Sequence, residues 1–170
     1  KIYWALTVGV PKPRQGTITL ALAKESGFGR HGRDERMTAL DEGEADATEG
    51  AKTATTHYIV MGAAADKYAF VALKPVTGRT HQLRAHLAAI GTPIVGDFKY
   101  GGTAAKGTGE LEDRLHLHAR SIDIAHPSQG RLRITAPLPP HMMKAWELLG
   151  FDIDDRRNPF PQHDKPRTRR

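Results

Sequence analysis

Residues 74–102 read KPVTGRTHQLRAHLAAIGTPIVGDFKYGG and join a turn, a cationic helix start, a helix stop and a glycine-rich turn in one uninterrupted run. Pro75 and Gly78 turn the backbone, so a helix begins near Thr77 or Thr80, either of which serves as an N-cap. Gly91 and Pro93 end it. At about 100° per residue, Leu83, Leu87 and Ile90 fall on one stripe. Thr80 and Arg84 flank that stripe on one side, and Arg79, Gln82 and His86 on the other. Such a helix buries one face and still presents guanidinium groups. Backbone N–H groups freed around Gly78, together with Arg79, form a phosphate-sized anion site at the positive end of the helix dipole. That arrangement suits a nucleic acid backbone.

The flanking sequence reads as scaffold for this run. Ile2, Trp4, Leu6 and Val8 alternate with Tyr3, Ala5 and Thr7, the period of a strand with one face on a core. Tyr3 therefore points away from the face of Trp4. Pro11 and Pro13 break the pattern, and a second strand resumes from Gly16 with Ile18, Leu20 and Leu22 aligned. Residues 24–51 turn polar and glycine-rich, with Arg30, Arg33 and Arg36 followed by Asp41, Glu42, Glu44, Asp46 and Glu49, which predicts a mobile surface loop. A strand over Tyr58–Met61 and a partner in YAFVAL form a hairpin that delivers the chain to Lys74. Residues 111–119, LEDRLHLHA, suit a helical turn or a strand equally. Ile122 and Ile124 pair back through PSQG onto Leu132 and Ile134. Met142, Ala145, Trp146 and Leu149 stand at helical spacing, with Gly150 as the stop. From Asp152 onward too few apolar residues remain to pack, which predicts a disordered basic tail over 152–170.

The 170 residues suffice for one domain with a real core, placed at 1–151. A total of 25 Lys and Arg against 19 Asp and Glu gives a net charge of +6, which favours a polyanionic partner through counterion release. Without cysteine the chain has no disulfide or thiolate chemistry. With neither a signal peptide nor a transmembrane run, the cytoplasm is the default compartment, and no membrane partner is expected. The first residue is Lys1, inside an alternating strand pattern, so the chain reads as a fragment of a larger sheet.

TGRTHQLRAH, followed by GTPIVGD and KYGG, closely resembles the C-terminal signature of RluA-like RNA pseudouridine synthases. KIYWALTVG is similar to the tyrosine-bearing strand of that family, and LHLHA with a later HP to the segment after its GD motif. The resemblance covers roughly Lys1–Pro137 apart from the 24–51 loop. It implies an α+β fold with a mostly antiparallel mixed sheet and flanking helices, part of a pseudouridine synthase catalytic domain. It also implies isomerisation of uridine to pseudouridine in structured RNA, ribosomal ahead of transfer RNA, with no cofactor and no metal. The catalytic aspartate of the family lies in a segment reading roughly HRLDxxTSG. No such string occurs here, so the missing N-terminal part of the same catalytic domain is an expected partner. Without it the alternative is a non-catalytic RNA-binding module.

Read alone, Arg84 beside an apolar stripe is a surface or snorkelling cation, and Tyr3 a strand former on a sheet face. By resemblance Arg84 matches the arginine that pairs with the catalytic aspartate through a charge-assisted fork, and Tyr3 the tyrosine that lies against the target base. Both are catalytic candidates. Arg79, Thr80, His81 and Gln82 at the helix start are candidate RNA contacts, against the plain reading of capping and a solvated charge. Lys52 is similar to a family lysine and joins them, while the role of Lys1 stays open. Asp97, the one acid inside the signature, matches the GD motif and is expected to cap a turn, not to attack the substrate. His81 and His86 stand five apart, about 140° around a helix, unlike the zinc-binding HExxH spacing. His116 and His118 would share a face if their stretch is a strand, but without cysteines or a carboxylate cluster no metal site is expected.

Overall fold

The computed structural model describes residues 1–25, 36–128 and 130–161. One sheet of seven strands runs through it, in the order β3-β2-β4-β5-β1-β6-β7. The strands are β1 (Ile2–Val8), β2 (Gln15–Lys24), β3 (Met37–Leu40), β4 (Lys52–Ala64), β5 (Tyr68–Pro75), β6 (Leu117–His126) and β7 (Gly130–Thr135). Every pairing between these strands is antiparallel. The helices are α1 (Glu42–Ala47), α2 (Gln82–Ala89), α3 (Phe98–Gly101) and α4 (Pro140–Leu149), with a 3₁₀ turn over Gly102–Ala105.

Both faces of the central strands are covered, where alternation alone promises one. Trp4 and Leu6 of β1 join Phe70, Met142, Ala145 and Trp146 in a core beneath α4. Ala5 joins Val71, Leu73, Leu83, Leu87 and Ile94 in a second core beneath α2. Strands buried on both sides read as continuous apolar runs, and Tyr68–Leu73 is buried at every position. The first core is aromatic. Trp4 and Trp146 lie parallel with centroids 6.3 Å apart, and Phe70 meets both edge-on at 4.6 and 5.0 Å, geometries the ring quadrupole favours.

Several expectations are corrected. The 24–51 stretch is not loop throughout: β2 reaches Lys24, β3 pairs with it, and α1 follows with Asp41 and Glu44 forming a capping box. Arg30 and Arg33 lie outside the described residues. The tail does not begin at Asp152, because Ile153 packs on the first core and Phe160 is buried within it. One phenylalanine anchors a polar segment that composition marked as unable to pack; residues 162–170 lie outside the described residues. The ambiguous 111–119 stretch is neither alternative throughout, since β6 starts only at Leu117. At the start of α2 the N-cap is His81, in left-handed backbone with φ 51°, and neither Thr77 nor Thr80. Ile90 is the C-cap and 38% exposed, so the buried stripe holds Leu83 and Leu87 without it.

Candidate active site

Where α2 starts above the ends of β1 and β5, a cleft of about 390 Å³ opens, lined among others by Lys1, Tyr3, Arg79, His81, Gln82 and Arg84. Residues far apart in the chain meet because β1 pairs with β5, whose end feeds directly into α2. Tyr3 stands opposite Leu73 on β5 and packs partly against the second core, on the far side of β1 from Trp4. Tyr3, Arg79, His81, Gln82 and Arg84 are thus brought together. Thr80 and Lys52 are exposed and do not line the cleft.

Arg84 is held by Asp97 through a fork: Nε donates to Oδ2 at 2.9 Å and Nη2 to Oδ1 at 2.7 Å. The Asp97 side chain is fully buried and that of Arg84 is 18% exposed. These hydrogen bonds raise the Arg84 guanidinium above its ordinary pKa, outweighing the opposite effect of burial. Asp97 also accepts from Tyr100 N–H at 3.3 Å and caps α3. Its expected capping role therefore has a second half that the sequence did not show. The side-on fork of Arg84 faces Asp97, leaving Nη1 with no protein acceptor among the described residues.

Gln82 is an internal brace. It is 3% exposed; its Nε2 donates to Thr55 O and Thr56 Oγ1, both at 2.9 Å, and its Oε1 accepts from Thr77 Oγ1 at 2.7 Å and Arg79 N–H at 3.1 Å. With its amide fully engaged, Gln82 shapes the cleft instead of reaching RNA. The Arg79 N–H that was expected to face a phosphate is occupied by the same side chain. The Arg79 guanidinium, the other cationic part of the expected anion site, is exposed.

Beneath the cleft, Tyr100 lies 4.9 Å from its ring centroid to the Arg84 guanidinium carbon, and its hydroxyl is 2.9 Å from His81 Nδ1. Sequence reading passed over Tyr100. Its signal was the aromatic position three residues beyond the Asp97 cap. His86, buried on the inner side of α2, contacts Thr56 Oγ1 at 3.0 Å, and burial pushes its pKa down to about 4. His116 is buried with Nδ1–H donating to Arg114 O at 2.6 Å. Among the described residues no three His, Asp or Glu side chains gather as metal ligands.

A larger cleft of about 540 Å³ opens on the other face of β1, lined by Trp4, Arg120, Asp154 and Arg156 among others. It mixes both signs of charge, and Arg120 there lies 4.2 Å over the Trp4 ring while donating to Ala136 O at 2.8 Å. Size does not mark this cleft as the site. The convergence of Tyr3, Arg84 and His81 favours the other.

The profile of the RNA pseudouridylate synthase family matches residues 1–89, more than half of the chain. The chain belongs to that family. It is 33% identical to the mitochondrial RNA pseudouridine synthase 4 of Arabidopsis thaliana, covering 89% of this chain and 40% of the relative. It is 38% identical to the dual-specificity RNA pseudouridine synthase RluA of Escherichia coli, over 76% of this chain and 52% of that protein. An uncharacterized RNA pseudouridine synthase of Zymomonas mobilis is also 38% identical, with shares of 89% and 60%. Among solved structures, human RNA pseudouridylate synthase domain containing 4 superposes with a TM-score of 0.65 at 28% identity, covering 88% of this chain and 62% of that one. Human domain containing 1 gives 0.64 at 33% identity, with 84% and 56% covered. The chain thus spans 40–60% of the length of these sequence relatives. Family and fold stand as the resemblance implied, with a purely antiparallel sheet among the described strands.

Proposed function

We propose that this chain supplies the base-binding and arginine-bearing part of an RNA pseudouridine synthase active site. The observation that carries the reading is the cleft itself, in which Tyr3 and Arg84 face one space although 81 positions separate them. In the reaction the C1′–N1 bond of uridine breaks, the base turns, and a C1′–C5 bond forms. C5 then gives up its proton and N1 gains one, so atoms balance without a redox partner. A target base taken out of its stack needs an aromatic surface, which Tyr3 offers. Nη1 of Arg84, which Asp97 does not use, is the donor we assign to the carboxylate, while Asp97 holds the guanidinium through Nε and Nη2. Arg79 at the exposed rim supplies charge for the RNA backbone.

No Asp or Glu lines the cleft among the described residues, so the reading requires the acid from a segment beyond these. The groove lined by Lys1, Tyr3, Ile122 and Ile134 adjoins the cleft through the first two residues and offers such a segment an apolar surface. The absent acid is also the one observation favouring a non-catalytic RNA-binding module. Mapping pseudouridine chemically in RNA treated with this chain, and with the complete protein, separates the readings. The chain alone binds RNA without product, and the complete protein makes pseudouridine. Product from the chain alone would place the acid within it, and none from the complete protein would leave only binding. We place ribosomal RNA ahead of transfer RNA as substrate, and the same mapping on both decides.

A further inference from the structure

The Arg84 guanidinium is held by two neighbours. Asp97 holds it through the fork, and its carbon lies over the Tyr100 ring, 4.9 Å from the centroid. A cation over a ring face is held by the ring quadrupole, and partial desolvation strengthens that hold. Tyr100 also reaches the second cleft residue. Its ring meets that of His81 edge-on at 5.7 Å and 81°, and its hydroxyl stands 2.9 Å from His81 Nδ1. The same oxygen accepts from Met37 N–H at 2.9 Å. Tyr100 itself is not among the lining residues. It touches the site from behind.

The hydrogen-bond inventory of the phenol decides the direction of the contact with His81. A protonated tyrosine oxygen has one proton to donate, and burial raises the Tyr100 pKa, which keeps that proton in place. Met37 N–H is a donor and cannot take it. Among the described residues the acceptor for the phenolic proton is therefore His81 Nδ1. A neutral imidazole that accepts at Nδ1 carries its own proton on Nε2. His81 enters α2 in left-handed backbone with φ 51°, a conformation that holds only where the surroundings impose it, and the Tyr100 hydroxyl is one of its contacts.

We propose that Tyr100 is the positioning residue of this cleft, holding the Arg84 guanidinium over its ring and fixing the Nε2–H tautomer of His81 with its hydroxyl. Tyr100 acts through these two side chains and does not touch the substrate. The link to catalysis rests on the isomerase reading above; the tautomer does not.

Two variants separate the two contacts. Tyr100→Phe keeps the ring and removes the hydroxyl, and Tyr100→Leu removes both. Two-bond proton–nitrogen NMR spectra of this chain near pH 7.5 read the His81 tautomer directly, and a melting curve with the Met37 amide signal checks the fold. The wild-type chain shows a single Nε2–H imidazole at His81, and Tyr100→Phe shows exchange-averaged tautomers in a folded chain. An Nδ1–H tautomer in the wild type, or an unchanged His81 pattern in Tyr100→Phe, overturns the proposal. The Arg84 Nε–H signal is the second readout: it holds its position in Tyr100→Phe and moves in Tyr100→Leu. Movement in neither variant overturns the ring contact. In the complete protein, Tyr100→Phe lowers kcat roughly tenfold, the effect of one misplaced hydrogen bond, with KM nearly unchanged. Unchanged kcat alongside a scrambled His81 tautomer overturns the positioning role. The NMR readings stand whether or not pseudouridine forms, so failure of the isomerase reading is recognised separately.

Discussion

Arg84 shows how far a single side chain is specified by its neighbours. Its fork is committed to a fully buried carboxylate, Asp97, so its position survives without substrate. Arg84→Lys keeps the charge and loses the planar fork. In the complete protein it is expected to abolish most turnover while leaving RNA affinity nearly unchanged. Arg79→Ala, at the exposed rim, is expected to do the reverse, weakening RNA binding and reducing its salt slope by about one. Single-turnover rates and binding isotherms at several salt concentrations check both, and equal small effects of the two would sink the assignment. Tyr3 is tested by a pair. Tyr3→Phe keeps a ring worth about 1 to 3 kcal/mol of stacking and Tyr3→Leu does not, so turnover per folded molecule falls much further in Leu. If Phe is as inactive as Leu, the hydroxyl matters more than the ring.

At the scale of elements, the turn between Ile94 and α3 carries the site. Val95 N–H donates to Leu6 O and His116 N–H to Val95 O, which ties the turn to β1 and to the approach of β6. Gly96 follows in left-handed backbone with φ +77°, and a Cβ placed there would stand 1.9 Å from the Arg114 carbonyl oxygen. Only glycine fits, because both the backbone angle and the space exclude a side chain. Asp97 is the next residue, so the fork that holds Arg84 depends on this passage. Gly96→Ala is expected to cost roughly 3 kcal/mol or more, since strain and backbone displacement add. Urea denaturation measures it, and loss below about 1 kcal/mol would contradict the close approach. Gly91 at the end of α2, by contrast, has open space where a Cβ would stand, with no atom within 4 Å, so only its φ of +77° opposes substitution.

Across the whole molecule, burial of imidazoles sets a pH dependence. His86 has its pKa lowered to about 4 by burial, and His116 is lowered from the same principal cause. The unfolded His86 takes up its proton near about 6.5, while the folded form does so only near 4. Between these values the unfolded state binds more protons, so stability falls as pH drops and levels off for this group below about 4. The contribution is roughly 3 kcal/mol at most. Urea midpoints between about pH 7 and pH 4 test it, and a His86→Gln variant with an undiminished slope would assign the effect elsewhere. By itself the sequence located β1, β2 and β7, because the alternation around Trp4, Ile18 and Ile134 is local and periodic. It also determined α4 and the stops at Gly91 and Gly150, which depend on backbone preference within a few residues. Through a long motif it determined the family, and with it named Tyr3 and Arg84 as catalytic candidates. Only the tertiary structure decided that Gln82 is an internal brace, that Asp97 occupies the fork of Arg84, and that Tyr100 reaches His81. It alone decided that Phe160 closes a core and that both faces of the central strands are covered. Each of these depends on which groups meet across 13 or more residues of chain, as Arg84 meets Asp97. Periodicity and composition describe what a residue prefers locally, whereas a hydrogen bond between distant side chains is fixed by the packing that brings them within about 3 Å of each other.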